Sequence, residues 1–337
     1  MTVETILDVR DLRVEFSLAR GVLRAVDGAS FDLRPGEALG VVGESGSGKT
    51  MALRALIGLL PRQARLAGGE ILFEGEDLAR ASHDRLRRIR GQEIAMIFQE
   101  PLTALNPVMR VGDQIAEGPA IRLGYGRQRA RERALELMRL VGIPDPVRRY
   151  DAYPHELSGG MQQRVMIAIA LALEPKVILC DEPTTALDVT IQDQILKLLA
   201  SLQERLQVSI VFVSHDLAVV AQTCQRVAVM YAGQVIETGP IDEVFHEPRH
   251  PYTLSLLRSV PDFDVVRETL AAIPGSPPDL ASPPPGCRFH PRCPFMQPDC
   301  TSGDFPLVPV GSGRATACIH WEAAAEDVQR EPVIADA

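Results

Sequence analysis

Long apolar runs are missing from this sequence. The most apolar stretch, residues 165–173, falls well short of the roughly twenty residues a helix needs to cross a bilayer, so any membrane role is expected to come through a partner. Positive charge is not in excess either. Lys and Arg total 35 against 44 Asp and Glu, a formal net charge of -9, which disfavours generic nucleic-acid binding by bulk electrostatics. Residues 1–6 show no basic segment leading into an apolar core, so no secretory signal is read there and a cytosolic location is expected. Internal repeats and sustained heptads are absent. Cysteine is sparse over most of the chain: only Cys180 and Cys224, both in apolar contexts, precede a late group of Cys287, Cys293, Cys300 and Cys318. That group lacks the paired C-x2-C spacing of common zinc sites. In a cytosolic chain such crowding favours metal over disulfides, and the spacing leaves zinc, an iron–sulfur cluster and free thiols open.

What is present is a folded chain of ordinary composition. Its 337 residues are 46% hydrophobic and 23% charged, enough for two domains or one domain with an appendage. The stretch that organises the rest is Gly43-Glu44-Ser45-Gly46-Ser47-Gly48-Lys49-Thr50. An apolar run fit for a buried strand precedes it (residues 38–42), and helix formers with helically spaced apolar residues follow (51–56). Strand, glycine-rich loop and helix in that order make a phosphate site. Backbone N–H groups wrap the phosphates and the helix start adds positive dipole, while Lys49 can reach the β- and γ-phosphates and Thr50 can ligate Mg²⁺.

Upstream, residues 7–16 and 29–33 alternate as strands of an antiparallel sheet. Phe16 ends the first run near the expected nucleotide site, where it could stack on adenine or simply pack in the strand. Residues 94–98 form a buried-strand candidate that delivers Gln99, able to reach a metal ion or a water. From 102 to 154 the pattern is helical and charged, with positions 134, 137, 138 and 141 on one apolar face. Leu157-Ser158-Gly159-Gly160-Met161-Gln162 then supplies a second anion-binding device, a hydroxyl and glycine amides at a helix start. Residues 177–180 are a continuous apolar strand ending in Asp181-Glu182. Asp181 is placed to hold Mg²⁺ and Glu182 to polarise the attacking water. A further buried strand, 209–213, delivers His215 where a γ-phosphate sensor is needed. Residues 226–237 read as a hairpin turning at Ala232-Gly233 that closes the core. Beyond it lie a separate extension, a proline-rich connector over 274–286 and a frayed tail over 322–337.

Taken together, the loop at 43–50, Gln99, the 157–162 segment, residues 177–182, Ala186-Leu187-Asp188 and His215 resemble the ATP-binding cassette family over roughly residues 6–240. The resemblance implies an α/β P-loop ATPase core of the RecA-like kind with an antiparallel β subdomain (core and β subdomain 1–101, helical signature subdomain 102–160, core 161–240, C-terminal extension 241–337). It implies a head-to-tail dimer with ATP sandwiched between the phosphate loop of one subunit and Ser158-Gly159-Gly160 of the other, with Asp188 in the dimer contact. Gln99 becomes a metal ligand and lever to a membrane partner.

The wording around these motifs, Phe98-Gln99-Glu100-Pro101-Leu102-Thr103-Ala104-Leu105-Asn106-Pro107, Tyr153-Pro154-His155-Glu156 ahead of the signature, and His250-Pro251-Tyr252-Thr253, is similar to the ATPase subunits of bacterial dipeptide and oligopeptide importers, which have close relatives in nickel and glutathione importers. That likeness implies ATP and Mg²⁺ as cofactors and a peripheral position on the cytoplasmic face of the inner membrane. Its implied partners are two transmembrane permeases, a second related ATPase and an extracytoplasmic binding protein, with no nucleic acid. It also implies a [4Fe–4S] cluster on Cys287, Cys293, Cys300 and Cys318. Cassette ATPases acting on DNA or ribosomes would need coiled coils or a duplicated cassette, and intact Glu182 and His215 argue against a cassette that binds ATP without hydrolysing it.

Overall fold

The computed structural model describes residues 4–18, 21–185, 187–259 and 273–330, so Ala186 and the end of the expected tail lie outside the described residues. In chain order the strands are β1 (Leu7–Leu18), β2 (Gly21–Leu33), β3 (Ala38–Val42), β4 (Ala64–Phe73), β5 (Glu76–Asp77), β6 (Ile94–Ile97), β7 (Val177–Asp181), β8 (Ser209–Ser214), β9 (Arg226–Tyr231), β10 (Gln234–Pro240), β11 (Val308–Gly311) and β12 (Arg314–Thr316). They form a four-stranded sheet in the order β2-β1-β4-β5 and an eight-stranded sheet in the order β11-β12-β10-β9-β3-β8-β7-β6. Pairing is antiparallel throughout the first sheet. In the second, β9, β3, β8, β7 and β6 run parallel.

Sequence pattern accounts for the division. Every residue of β3, β7 and β8 is buried, as expected of parallel strands covered on both faces. The helix Lys49–Leu56 packs between the sheets, its Leu53 and Leu56 sharing a core with Leu7, Leu12, Leu39 and Val41. The phosphate loop therefore sits at the seam between them. On the opposite side the helix Gly159–Leu171 packs against β6, and the helices Val111–Arg122 and Arg127–Leu140 pack against it and against each other. Ala134, Leu137, Met138 and Val141, the apolar face read from the sequence, are all buried there.

The hairpin of β9 and β10 turns at Ala232 (φ 47°) and Gly233 (φ 84°), the left-handed pair that a two-residue hairpin needs. It does not close the sheet. Strand β12 pairs with β10 and β11 adds the outer edge, so the extension continues the core where the sequence reads as an appendage. Those strands are too short for their alternation to register as a pattern. Tyr252 and Phe289 of the extension also close on Tyr231 of β9, with ring centroids 4.5 and 5.4 Å from it. Buried His250 accepts the Tyr252 N–H at 3.0 Å, and burial lowers its pKa to about 3, which keeps the ring a neutral acceptor. The Tyr252 hydroxyl in turn accepts the Glu44 N–H at 2.8 Å. The extension thus touches the phosphate loop itself.

Candidate active site

The loop's glycines are fixed by contact as well as by φ. A Cβ on Gly43 (φ 153°) would lie 2.1 Å from the Met230 carbonyl oxygen, and one on Gly48 (φ 104°) 2.3 Å from that of Ala25. Both positions press the loop against neighbouring backbone, which leaves its other side for a ligand. Ser45 and Gly46 line that side. Buried Lys49 donates to the carbonyls of Gly43 at 2.7 Å and Glu44 at 3.0 Å, and burial lowers its pKa. Ser47 Oγ is buried with no hydrogen-bond partner among the described residues. Thr50 Oγ1 donates to Asp181 Oδ1 at 2.7 Å. Asp181 is only 1% exposed, and burial raises its pKa against the opposing Thr50 bond. Thr50 and Asp181, with Gln99 nearby on the cleft wall, offer the hard oxygen donors that suit Mg²⁺.

Glu182 is the first residue beyond β7 and takes a left-handed backbone (φ 47°), a strained conformation of the kind that clusters at reacting centres. One carboxylate oxygen, Oε2, gathers three partners: Thr185 Oγ1 at 2.9 Å, His215 Nδ1 at 3.1 Å and Gln99 Nε2 at 3.3 Å. Gln99, Glu182 and His215 follow the carboxyl ends of β6, β7 and β8, adjacent strands, which is why residues far apart in sequence converge. They form one wall of a cleft of about 550 Å³ whose floor is the phosphate loop. Sequence reasoning missed Thr185; its signal was the hydroxyl three residues after the carboxylate.

The second anion device lies elsewhere. Ser158 caps the helix Gly159–Leu171, accepting the Met161 N–H at 3.4 Å, and is exposed. Leu157 is buried, and Gln162 turns inward to donate to the carbonyls of Pro154 and Leu157. Gly160 leaves its space to Ile191, whose Cγ2 would lie 2.6 Å from a Cβ. None of residues 157–162 lines the phosphate-loop cleft of the same chain. Asp188 is exposed and caps the helix Val189–Leu206 by accepting the Ile191 N–H at 3.0 Å. Phe16 does not line the cleft either. Phe16 is paired with Leu23 and Ala64 in the hairpin, and its cross-strand partner Leu23, on the same face of the sheet, is the one that lines the cleft.

Comparison with known proteins matches this arrangement. The dipeptide transport ATP-binding protein DppD of Bacillus subtilis is 50% identical over 298 residues, covering 88% of this chain and 89% of the relative. The oligopeptide transport ATP-binding protein OppD of the same organism is 52% identical over 289 residues, covering 85% and 81%. The chain belongs to the ATP-binding cassette family. The family model described as "ABC transporter" matches residues 26–185, and the one described as "Oligopeptide/dipeptide transporter, C-terminal region" matches 236–300. Among solved structures, a dimeric post-hydrolysis ATP-binding cassette bound to ADP and Pi aligns at a TM-score of 0.63 and 27% identity, covering 70% of this chain and 98% of that one. ATP and Mg²⁺ are accordingly the ligands of this cassette, and among the described residues no helix is long and apolar enough to cross a membrane.

One expectation is corrected. The matching models and relatives of this cassette describe ATP-binding transport subunits and not iron–sulfur proteins, so the [4Fe–4S] cluster on Cys287, Cys293, Cys300 and Cys318 is not supported. The four are free thiols. Burial raises the pKa of Cys287, of Cys293 to about 11 and of Cys318 to about 12, which favours the protonated form. Among the described residues, the one group of three or more potential ligand atoms all within 4.8 Å is Asp299, Cys300 and His320. His320 Nε2 is there already engaged with Asp299 at 2.9 Å.

Proposed function

We propose that this cassette is the ATP-hydrolysing subunit of a peptide importer, coupling closure and reopening of a head-to-tail cassette pair to uptake of di- or oligopeptides. The observation that carries the catalytic part is the convergence of Gln99, Thr185 and His215 on one oxygen of Glu182 at the wall of the phosphate-loop cleft. Glu182 accepts a proton from the attacking water, His215 and Gln99 orient that water and the γ-phosphate, and Lys49 leaves its loop carbonyls to meet phosphate charge. Thr50, Asp181 and Gln99 hold the metal. When bound there, Mg²⁺ would supply neutralisation of the negative charge that develops on the phosphates. Ser158, Gly159 and Gly160 serve the site of the opposite subunit, a role supported by the exposure of Ser158 and Gly159 and by the fact that none of the three lines its own chain's cleft, and Asp188 lies in the contact between subunits.

The peptide substrate is supported by the C-terminal region shared with oligopeptide and dipeptide transporters and by the relatives' names. On this reading the chain works at the cytoplasmic face of the membrane with two permease subunits, a related second ATPase and an extracytoplasmic binding protein. Mild detergent extraction and affinity purification of the tagged chain test it. The expected result is recovery of two permeases and a second cassette; the chain recovered free of any membrane protein would contradict it.

A further inference from the structure

The cleft that holds the phosphate loop has an end to which no cassette motif contributes. Its reacting wall is polar, formed by Gln99, Glu182 and His215, whereas its other end is lined by Leu23 and Ala25 of β2 and by Leu280 of the proline-rich connector. Ala25 lies against Gly48, at the start of the helix that receives the phosphates. A nucleoside triphosphate laid along the loop with its γ-phosphate at Glu182 therefore sends its base toward these three apolar side chains. We propose that the C-terminal extension completes the nucleotide site in cis, with Leu280 as a contact for the base and Arg292 as the residue that positions it.

The connector is built to hold Leu280 there. The Arg24 N–H of β2 donates to the Leu280 carbonyl at 3.2 Å, which ties the connector to the strand carrying Leu23 and Ala25. Asp279 forms a turn around Leu280, its side chain accepting the Ala281 N–H at 2.9 Å and its carbonyl the Ser282 N–H at 3.0 Å. The other anchor is Arg292, whose side chain is 5% exposed. Its guanidinium donates to the Pro274 carbonyl at 2.8 Å and to both oxygens of Glu44 at 2.8 and 3.1 Å. One planar, permanently charged group thereby clamps the start of the connector onto the phosphate loop. Tyr252, also of the extension, accepts the Glu44 N–H at 2.8 Å. The extension thus grips the loop at Glu44 and leans an aliphatic wall over the base end, the surface that the flat faces of a purine pack against.

This inference rests on the ATP reading, and its test separates the two. Titration calorimetry compares Mg-ATP with Mg-tripolyphosphate, which carries the phosphate chain without a base. Leu280→Ala is expected to weaken ATP about tenfold, to leave tripolyphosphate within about twofold, and to raise KM for ATP with kcat unchanged; Leu280→Met restores parental affinity. Arg292→Ala is expected to weaken ATP as well, with partial recovery in Arg292→Lys. If Leu280→Ala lowers the melting temperature without nucleotide, Leu280→Val provides the same comparison. Unchanged ATP affinity, or equal loss for ATP and tripolyphosphate, would overturn the base contact. A parent chain that binds neither ligand would instead overturn the nucleotide reading of the cleft.

Discussion

Glu182→Gln binds ATP as the parent does but turns it over roughly 10³-fold more slowly, the scale expected when a general base is lost. The amide is nearly isosteric with the carboxylate, so the shape of the group around Thr185, His215 and Gln99 survives. What disappears is the oxygen able to take the water's proton. Phosphate binding is untouched, because Lys49, Ser47 and the loop amides belong to a separate segment. Closure of the pair follows ATP binding and reopening follows hydrolysis, so the variant accumulates closed dimer. Nucleotide retention on filters, phosphate release and sedimentation velocity measure the three consequences independently. Parental hydrolysis by this variant would remove Glu182 from the mechanism.

The second large effect separates the two anion devices. Lys49→Ala takes away a buried cation that meets phosphate charge, costing about 3 kcal/mol, or roughly a hundredfold in ATP affinity. Ser158→Arg leaves ATP affinity of the single chain within about twofold, because residues 157–162 do not line their own chain's cleft. Turnover is nevertheless lost, since a bulky cation would occupy the place where the opposite subunit's phosphates meet the Ser158 hydroxyl and the glycine amides. Loss of the cap on the helix Gly159–Leu171 adds about 1 kcal/mol of destabilisation, which melting curves report separately. Comparable loss of single-chain ATP binding in both variants would place the two devices in one site and contradict the paired arrangement.

Features legible in the sequence are those written in contiguous residues. The phosphate loop, the apolar strand ending in Asp181-Glu182 and the turn at Ala232-Gly233 each announce themselves by local spacing, and the face at 134, 137, 138 and 141 by helical periodicity. Long-range partners leave no such trace. Glu44 and Arg292 are 248 positions apart, and Leu280 sits in a stretch whose prolines signal a connector and nothing about a cleft. Phe16 shows how close a neighbour can be: its cross-strand partner Leu23, on the same face of the sheet, is among the residues lining the cleft, and nothing in the sequence singles Leu23 out. The late cysteines invite a metal reading by their number, yet the matching family models and relatives describe ATP-binding transport subunits and not iron–sulfur proteins. The strands β11 and β12 escaped notice because two short segments gain their meaning only by pairing onto β10.

ATP-driven uptake by the reconstituted complex tests the central claim most directly. Proteoliposomes carrying the complex that co-purifies with this chain, loaded with ATP and supplied with binding protein and a labelled dipeptide or oligopeptide, should accumulate peptide when the chain is parental. They should not do so when equal amounts of complex carry Glu182→Gln. Accumulation that proceeds equally with the Glu182→Gln chain would contradict the account.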